Sequence, residues 1–279
     1  MNIKWRDGET TYGNDMYQTL IISSAAIALT LLYASVLDLR ERRVPFKTWY
    51  PMLFIALPMA VLTYAELFGE SVRFAFGLLF LSVMLCGFYY FASAYLHLFG
   101  GADAWAMIFI TACIPLFPVE PYAGYPIIAF FPLSVMVNAV LLNLVTPLGI
   151  FAVNCLRKNH GPLRYMFVGF PVSGDTIQNE FGFIMEEFTE EDDGTVTRRY
   201  LSFTEAIKRM IRGERRLYTR DFKRNPKEYK EELRLYRKAG TVWISYGVPF
   251  ILPICAGFLS AIFIGDIMTI LIQALSGAL

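Results

Sequence analysis

The feature that most constrains this chain is a series of apolar runs, each near the length that crosses a lipid bilayer. The hydrocarbon layer is about 30 Å thick, and roughly 20 apolar residues in helix span it. Five runs, Tyr17–Leu37, Pro51–Leu67, Phe74–Leu98, Ala104–Phe117 and Pro126–Leu156, precede a polar stretch from Arg157 to Gly240, and a sixth, Val242–Ile264, follows it. The fourth is short. The apolar tail Ile267–Leu279 either continues the sixth run past Gly265 and Asp266 or lies at the interface. The expected fold is an α-helical integral membrane protein of about six transmembrane helices, with a small cytoplasmic α+β insert between spans five and six. The chain accordingly divides into residues 1–156, carrying spans one to five, residues 157–240, the insert, and residues 241–279, the final span and tail. The first run follows a mixed-charge lead and no small-residue cleavage pattern follows it, so it reads as a span rather than a cleaved signal.

Charge orients these spans. The first connection holds Arg40, Arg42, Arg43 and Lys47, and the polar stretch holds 18 of the 25 Lys and Arg residues. The second and fourth connections hold only Arg73 between them. Cytoplasmic loops are rich in Lys and Arg, so the first connection and the insert are expected inside. Counting spans from an outside N-terminus independently puts the first, third and fifth connections inside. The expected location is thus the cell membrane, with the lipid bilayer as a standing partner.

Composition removes several function classes. A net charge of +1 gives no bulk attraction for nucleic acid. Cys86, Cys113, Cys155 and Cys255 lie in or beside apolar runs without a CxxC pair, and read as small packing residues rather than a zinc site or disulfide framework. With only His97 and His160 present, no histidine metal site is expected, and no cofactor is implied.

Ionisable groups at membrane depth are costly and therefore point to function. Asp38 ends the first run, in Ser35-Val-Leu-Asp38-Leu-Arg40-Glu-Arg42-Arg43-Val-Pro45. Asp103 opens the fourth, in Gly100-Gly101-Ala102-Asp103. Span parity puts both at one depth on the cytoplasmic side. Two neighbouring carboxylates cannot both ionise readily, so one is held protonated and the other ionised. Such a pair activates water with one member and protonates the leaving amine with the other. Gly100 and Gly101 allow a sharp turn or the close approach of an extended substrate. Each residue also has a plainer reading: Asp103 as a helix N-cap, Asp38 as a salt-bridge partner of Arg40 or Arg42, and the glycine pair as a turn.

At these residues the chain resembles the GxGD-type membrane aspartyl peptidases, in particular the archaeal preflagellin and prepilin peptidases. That family pairs an aspartate at the end of its first span, followed by basic residues and a proline, with a glycine-x-small-aspartate motif at the fourth. Asp38, Arg40, Arg42, Arg43 and Pro45 match the first element, and Gly100, Gly101, Ala102 and Asp103 the second. Where bacterial relatives often carry lysine two residues past the aspartate, this chain has Trp105. The bacterial four-cysteine zinc segment is missing, so peptidase activity without methyl transfer is expected. Tyrosine before the first aspartate and a Pro-Ala-Leu motif, marks of the presenilin branch, are also missing. The resemblance implies Asp38 and Asp103 as catalytic residues, Gly100, Gly101 and Ala102 as motif and substrate-positioning residues, no metal, and preflagellin- or prepilin-like precursors as partners. Their short basic leader would be cut at the cytoplasmic face. The rival reading is a small transporter in which the same two aspartates bind a cation or relay protons. Against it, both stand at one face rather than the midplane, and no inverted repeat is apparent.

Within the insert, Tyr165–Val172 reads as a strand, and Phe181–Phe188 with Thr195–Phe203 as a hairpin around the Asp-Gly at 193–194. Ala206, Ile207, Met210 and Ile211 fall at helical spacing, as do Glu228, Tyr229, Glu232, Leu233 and Tyr236, the latter leading into the sixth span. The acidic run Glu186–Asp193 is either a solvated hairpin tip or a lure for a basic leader. The basic cluster Lys208, Arg209, Arg212, Arg215 and Arg216 is either a solvated face or a contact for anionic headgroups. Asn138 and Asn143 are expected to hydrogen-bond between helices, Asp266 to lie near the outer face, His97 at the interface, and Pro249 and Pro253 to kink the last span.

Overall fold

Backbone polar groups inside a hydrocarbon layer have to be satisfied within the segment, and the apolar runs do this as helices. The computed structural model describes residues 14–96, 100–126, 128–191, 194–201, 205, 208, 217–245 and 250–277. In chain order the first helices are α1 (Asn14–Glu41), α2 (Tyr50–Glu70), α3 (Val72–Ala94), α4 (Gly101–Cys113), α5 (Phe131–Asn143), α6 (Val145–Leu156) and α7 (Leu163–Met166). They are followed by α8 (Thr219–Arg224), α9 (Lys230–Ala239), α10 (Ile251–Phe263) and α11 (Ile267–Ser276). Among the described residues, Asp15–Glu41, Phe46–Glu70, Val72–Ala94 and Phe131–Leu156 are each long and apolar enough to cross a membrane. The bent pair α10 and α11 passes that test only when taken together, and α4 is a shorter apolar helix. The protein is a helical membrane protein with a small strand-containing insert.

Contacts divide the chain into two units, Met1–Asn143 with Pro249–Leu279, and Leu144–Val248. In the first, α1 packs against α2 and α10, α3 against α2 and α4, and α10 against α5. Hydroxyls inside these helices bond to carbonyls one turn back, as Ser24 does to Leu20 and Ser35 to Leu31. Others bridge helices: Thr19 meets Thr63 at 2.8 Å, and Tyr64 meets Ser82 at 3.0 Å. α10 comes close to α5 because Gly257 has no side chain; a Cβ there would stand 2.6 Å from the Ala139 nitrogen.

The expected kink of the last helix at Pro253 is not there. Pro253 occupies the first turn of α10, where an amide would have no intrahelical acceptor, so the ring disturbs nothing. The bend, 62°, falls instead between α10 and α11, at Gly265 with φ +110°. A helix break in lipid leaves carbonyls without partners, and here they are found. The Tyr122 and Ala123 amides donate to the Phe263 and Ile264 carbonyls, each at 3.0 Å. Asn138 donates to Ser260 Oγ and the Gly265 carbonyl and accepts from the Ile267 amide. The interhelical role expected for Asn138 is thus met in detail. Asp266 caps α11, accepting from the Met268 and Thr269 amides.

In the second unit, β1 (Phe170–Ser173), β2 (Phe183–Ile184) and β5 (Thr241–Ser245) form an antiparallel sheet in the order β1-β5-β2, with Phe170 opposite Ile244 and Ser173 opposite Thr241. β3 (Glu186–Glu190) and β4 (Val196–Tyr200) form the expected hairpin. Ile177, Ile184, Phe222, Leu233, Tyr236, Val242 and Ile244 make its core. Two expectations are corrected. Val242–Ser245 belongs to a strand of the insert, not to the sixth span; a short apolar run rich in β-branched and aromatic residues suits either structure, and pairing with β1 and β2 decides it. α9 therefore leads into β5. Within Tyr165–Val172, Tyr165 and Met166 end a short helix and the strand begins only at Phe170.

Nor is the acidic run simply a solvated tip or an open lure. Glu186 is buried, accepts from the Trp243 amide at 2.8 Å and stands 3.7 Å from Arg198. Glu190 pairs with Arg234 and with Lys238. Asp192, Asp193, His97, Pro249, the apolar positions Ala206, Ile207, Met210 and Ile211, and the basic cluster apart from Lys208 lie outside the described residues.

Candidate active site

A helix end placed by packing inherits the direction of its buried stripe. On α1 that stripe runs through Ile27, Leu31, Ala34 and Ser35, all buried, and Asp38 is its next member at the i, i+3, i+4, i+7 spacing. On α4 the buried residues Ala106, Met107 and Ile110 extend back by the same rule to Asp103. Both aspartates therefore face inward at the ends of their helices and are half-buried. They lie near enough for the charge of Asp38 to act on Asp103. Both α1 and α4 pack against α10, whose first amide, at Ile251, donates to the Asp38 carboxylate.

The surroundings of the two groups differ. Asp38 has the Arg42 charge close by as well as the Ile251 amide. Arg42 reaches that position because α1 ends at Glu41 and Arg42 adopts φ +53°, its amide still bonded to the Asp38 carbonyl at 3.0 Å. A left-handed conformation costs a non-glycine residue about 1 kcal/mol, which here reverses the chain directly after the aspartate. Arg40 and Arg43 are exposed, so of the three flanking arginines Arg42 is the one whose charge acts on the site.

Asp103 is not the N-cap of α4. Gly100 is, with extended backbone at φ −62° and ψ 148°, and Asp103 stands at the third helical position. From there its Oδ2 accepts the Gly100 amide at 3.1 Å. A Cβ at position 100 would lie 2.7 Å from that oxygen, so a side chain there would shift the Asp103 carboxylate. Gly101 has open space on the corresponding side, and nothing in the structure demands glycine there. Ala102 packs on the core.

Sequence reasoning missed a group of aromatic rings beside the site. Phe46, directly after Pro45, lies edge-on to Trp105 at 5.1 Å and near Tyr50 and Phe109. Trp105 stacks on Phe109, which Trp49 also touches. The i, i+4 spacing of Trp105 and Phe109 and the Phe46-x-x-Trp49-Tyr50 run are the signals that could have flagged it.

Comparison with known proteins decides the family. Residues 25–151 match the model of the type IV leader peptidase family, a stretch containing both Asp38 and Asp103. Residues 161–267 match a second model, described as the archaeal peptidase A24 C-terminus, type II. The chain belongs to the type IV leader peptidase family. It is also similar to a preflagellin peptidase of Methanocaldococcus jannaschii, 23% identical over 257 residues that cover 86% of this chain and 92% of that protein. A leader peptidase is a protease, and transport through the same aspartates is not favoured. The two matches meet between residues 151 and 161, close to where the sequence turns polar.

Proposed function

We propose that Asp38 and Asp103 form the catalytic dyad of an aspartic endopeptidase that removes the short basic leader from preflagellin- or prepilin-like precursors at the cytoplasmic face of the membrane. One observation carries this reading: each aspartate continues the buried stripe of its own helix, so the two converge at one end of the bundle. Asp38, beside Arg42 and the Ile251 amide, has the neighbours that favour a carboxylate and acts as the base that takes a proton from water. Asp103, with the Gly100 amide and another carboxylate nearby, holds the proton, hydrogen-bonds the scissile carbonyl and delivers the proton to the leaving amine. A helical substrate has its backbone groups satisfied internally, so cleavage just outside its apolar segment avoids unwinding within the lipid.

The deciding experiment uses purified protein in detergent with a leader-bearing precursor. Asp38→Asn and Asp103→Asn should each abolish cleavage while expression and helical content persist. Retained cleavage in either variant removes that residue from the dyad. Orientation is read separately. A single cysteine at Glu187, on a background without native cysteines, should react with an impermeant maleimide only in inside-out vesicles, and reaction in intact cells would reverse the topology.

A further inference from the structure

Asp38 and Asp103 sit on different helices, and a dyad works only if its two carboxylates hold a common geometry. α1 and α4 share only a slight direct contact, so something further has to fix the distance. The chain after Asp38 supplies it. α1 ends, Arg42 turns the backbone, and the single 3-10 turn Phe46–Trp49 lays two aromatic rings on α4. Phe46 meets Trp105, two residues past Asp103, edge-on at 5.1 Å with planes at 79°. Trp49 meets Phe109 at 5.7 Å, and Trp105 and Phe109 stack at 5.4 Å. Edge-to-face and offset-stacked pairs have preferred geometries and resist sliding in a way that aliphatic contacts do not.

We propose that Phe46 and Trp105 are positioning residues for the peptidase reaction: their ring contact brackets the segment leaving Asp38 onto the helix bearing Asp103 and so sets the separation of the two carboxylates. The inference rests on the dyad reading above. The bracket has an inner and an outer half. Trp49 and Phe109 are buried and hold the bundle together, whereas Phe46 is 42% exposed. Phe46 can therefore be truncated without opening the core, which separates positioning from folding.

Two measurements test this. In cleavage assays Phe46→Ala should lower kcat about tenfold with KM and Tm unchanged, because small misplacements of catalytic groups are felt in the chemical step. Phe46→Tyr should restore the rate, and adding Trp105→Ala to Phe46→Ala should cost little more, as two halves of one contact require. Independently of activity, Asp38→Cys with Asp103→Cys, on a background with Cys86, Cys113, Cys155 and Cys255 replaced by alanine, should cross-link with a short bis-maleimide severalfold faster when Phe46 is present than after Phe46→Ala. An unchanged kcat, or a lowered kcat with an unchanged cross-linking rate, overturns the bracket. Should Asp38→Asn or Asp103→Asn still cleave, the dyad itself is wrong, and the cross-linking result still reports whether the rings set the spacing.

Discussion

In the insert, Glu186 and Glu190 are each held by more than one donor or cation: the Trp243 amide and Arg198 for the first, Arg234 and Lys238 for the second. In the membrane unit Asp266 is treated the same way, its carboxylate taking the Met268 and Thr269 amides and the Ser134 hydroxyl. Asp38 and Asp103 differ from all three in having another carboxylate close by. The Gly100 amide at Asp103 and the Ile251 amide with the Arg42 charge at Asp38 orient the carboxylates, and Asp103 is acted on first by its burial and then by the charge of the other aspartate. Carboxylates set singly among donors and cations build structure; a neighbouring pair, as proposed for Asp38 and Asp103, keeps the capacity to move protons.

The largest effect that would break this contrast lies at the pair. Either Asp38→Asn or Asp103→Asn should lower kcat by about a thousandfold or more, the scale of a lost general acid or base. Asp266→Asn is the matched control, since asparagine caps a helix about as well as aspartate; stability should change by no more than about 0.5 kcal/mol and cleavage should persist. Precursor cleavage followed by mass spectrometry reads both. A dead Asp266→Asn enzyme with an intact fold would end the distinction between structural carboxylates and the proposed dyad.

The two positions proposed for the dyad stood out in the sequence because a membrane makes polar residues conspicuous: aspartates at the ends of apolar runs need a reason. The same contrast exposed Asn138, whose three hydrogen bonds close the gap between α10 and α11. What failed depended on partners distant in the chain. Val242–Ser245 is apolar enough to belong to a span, and only its pairing with Phe170–Ser173 and Phe183–Ile184 makes it a strand. Pro253 reads as a kink until its place in the first turn is known. The acidic run looks solvated until β3 turns Glu186 inward under Arg198 and sets Glu190 against α9. The aromatic bracket stayed hidden because Phe46 and Trp105 lie 59 residues apart, with two whole helices between them.

Two truncations sharpen the comparison at the structural carboxylates and their partners. Glu186→Ala leaves the buried Trp243 amide without its acceptor and should destabilise the insert by about 1–3 kcal/mol. Urea unfolding followed through Trp243 fluorescence, with Trp5, Trp49 and Trp105 replaced by phenylalanine, measures it. Asn138→Ala removes three interhelical bonds, and because intramembrane hydrogen bonds average about 0.6 kcal/mol each, the loss should be about 1–2 kcal/mol. Thermal unfolding in detergent, with α11 becoming more open to protease, checks that value. A loss confined to the insert would contradict the assignment of Asn138 to the helix break.

The smallest effects are those of pH on the insert, and they should run in opposite directions for its two glutamates. Burial, partly offset by the Trp243 amide and Arg198, raises Glu186 above the usual 4.5 of a glutamate. The folded state thus holds this proton more tightly than the unfolded chain. The contribution of Glu186 to stability is full below about pH 4.5 and is lost as pH rises through its raised value. Glu190 is the reverse: hydrogen bonds from Arg234 and then Lys238 pull it down to about 2, so its contribution is present above about pH 4.5 and is lost as pH falls toward 2. Urea midpoints against pH should therefore show Glu186→Gln flattening the limb above pH 4.5 and Glu190→Gln flattening the limb below it. Because Arg234 and Lys238 are exposed and Glu190 is partly so, its limb should also shrink in high salt, while that of the buried Glu186 should not. Equal salt sensitivity of the two limbs would mean that Glu186 is solvated, and that the insert's two carboxylates are held in the same way after all.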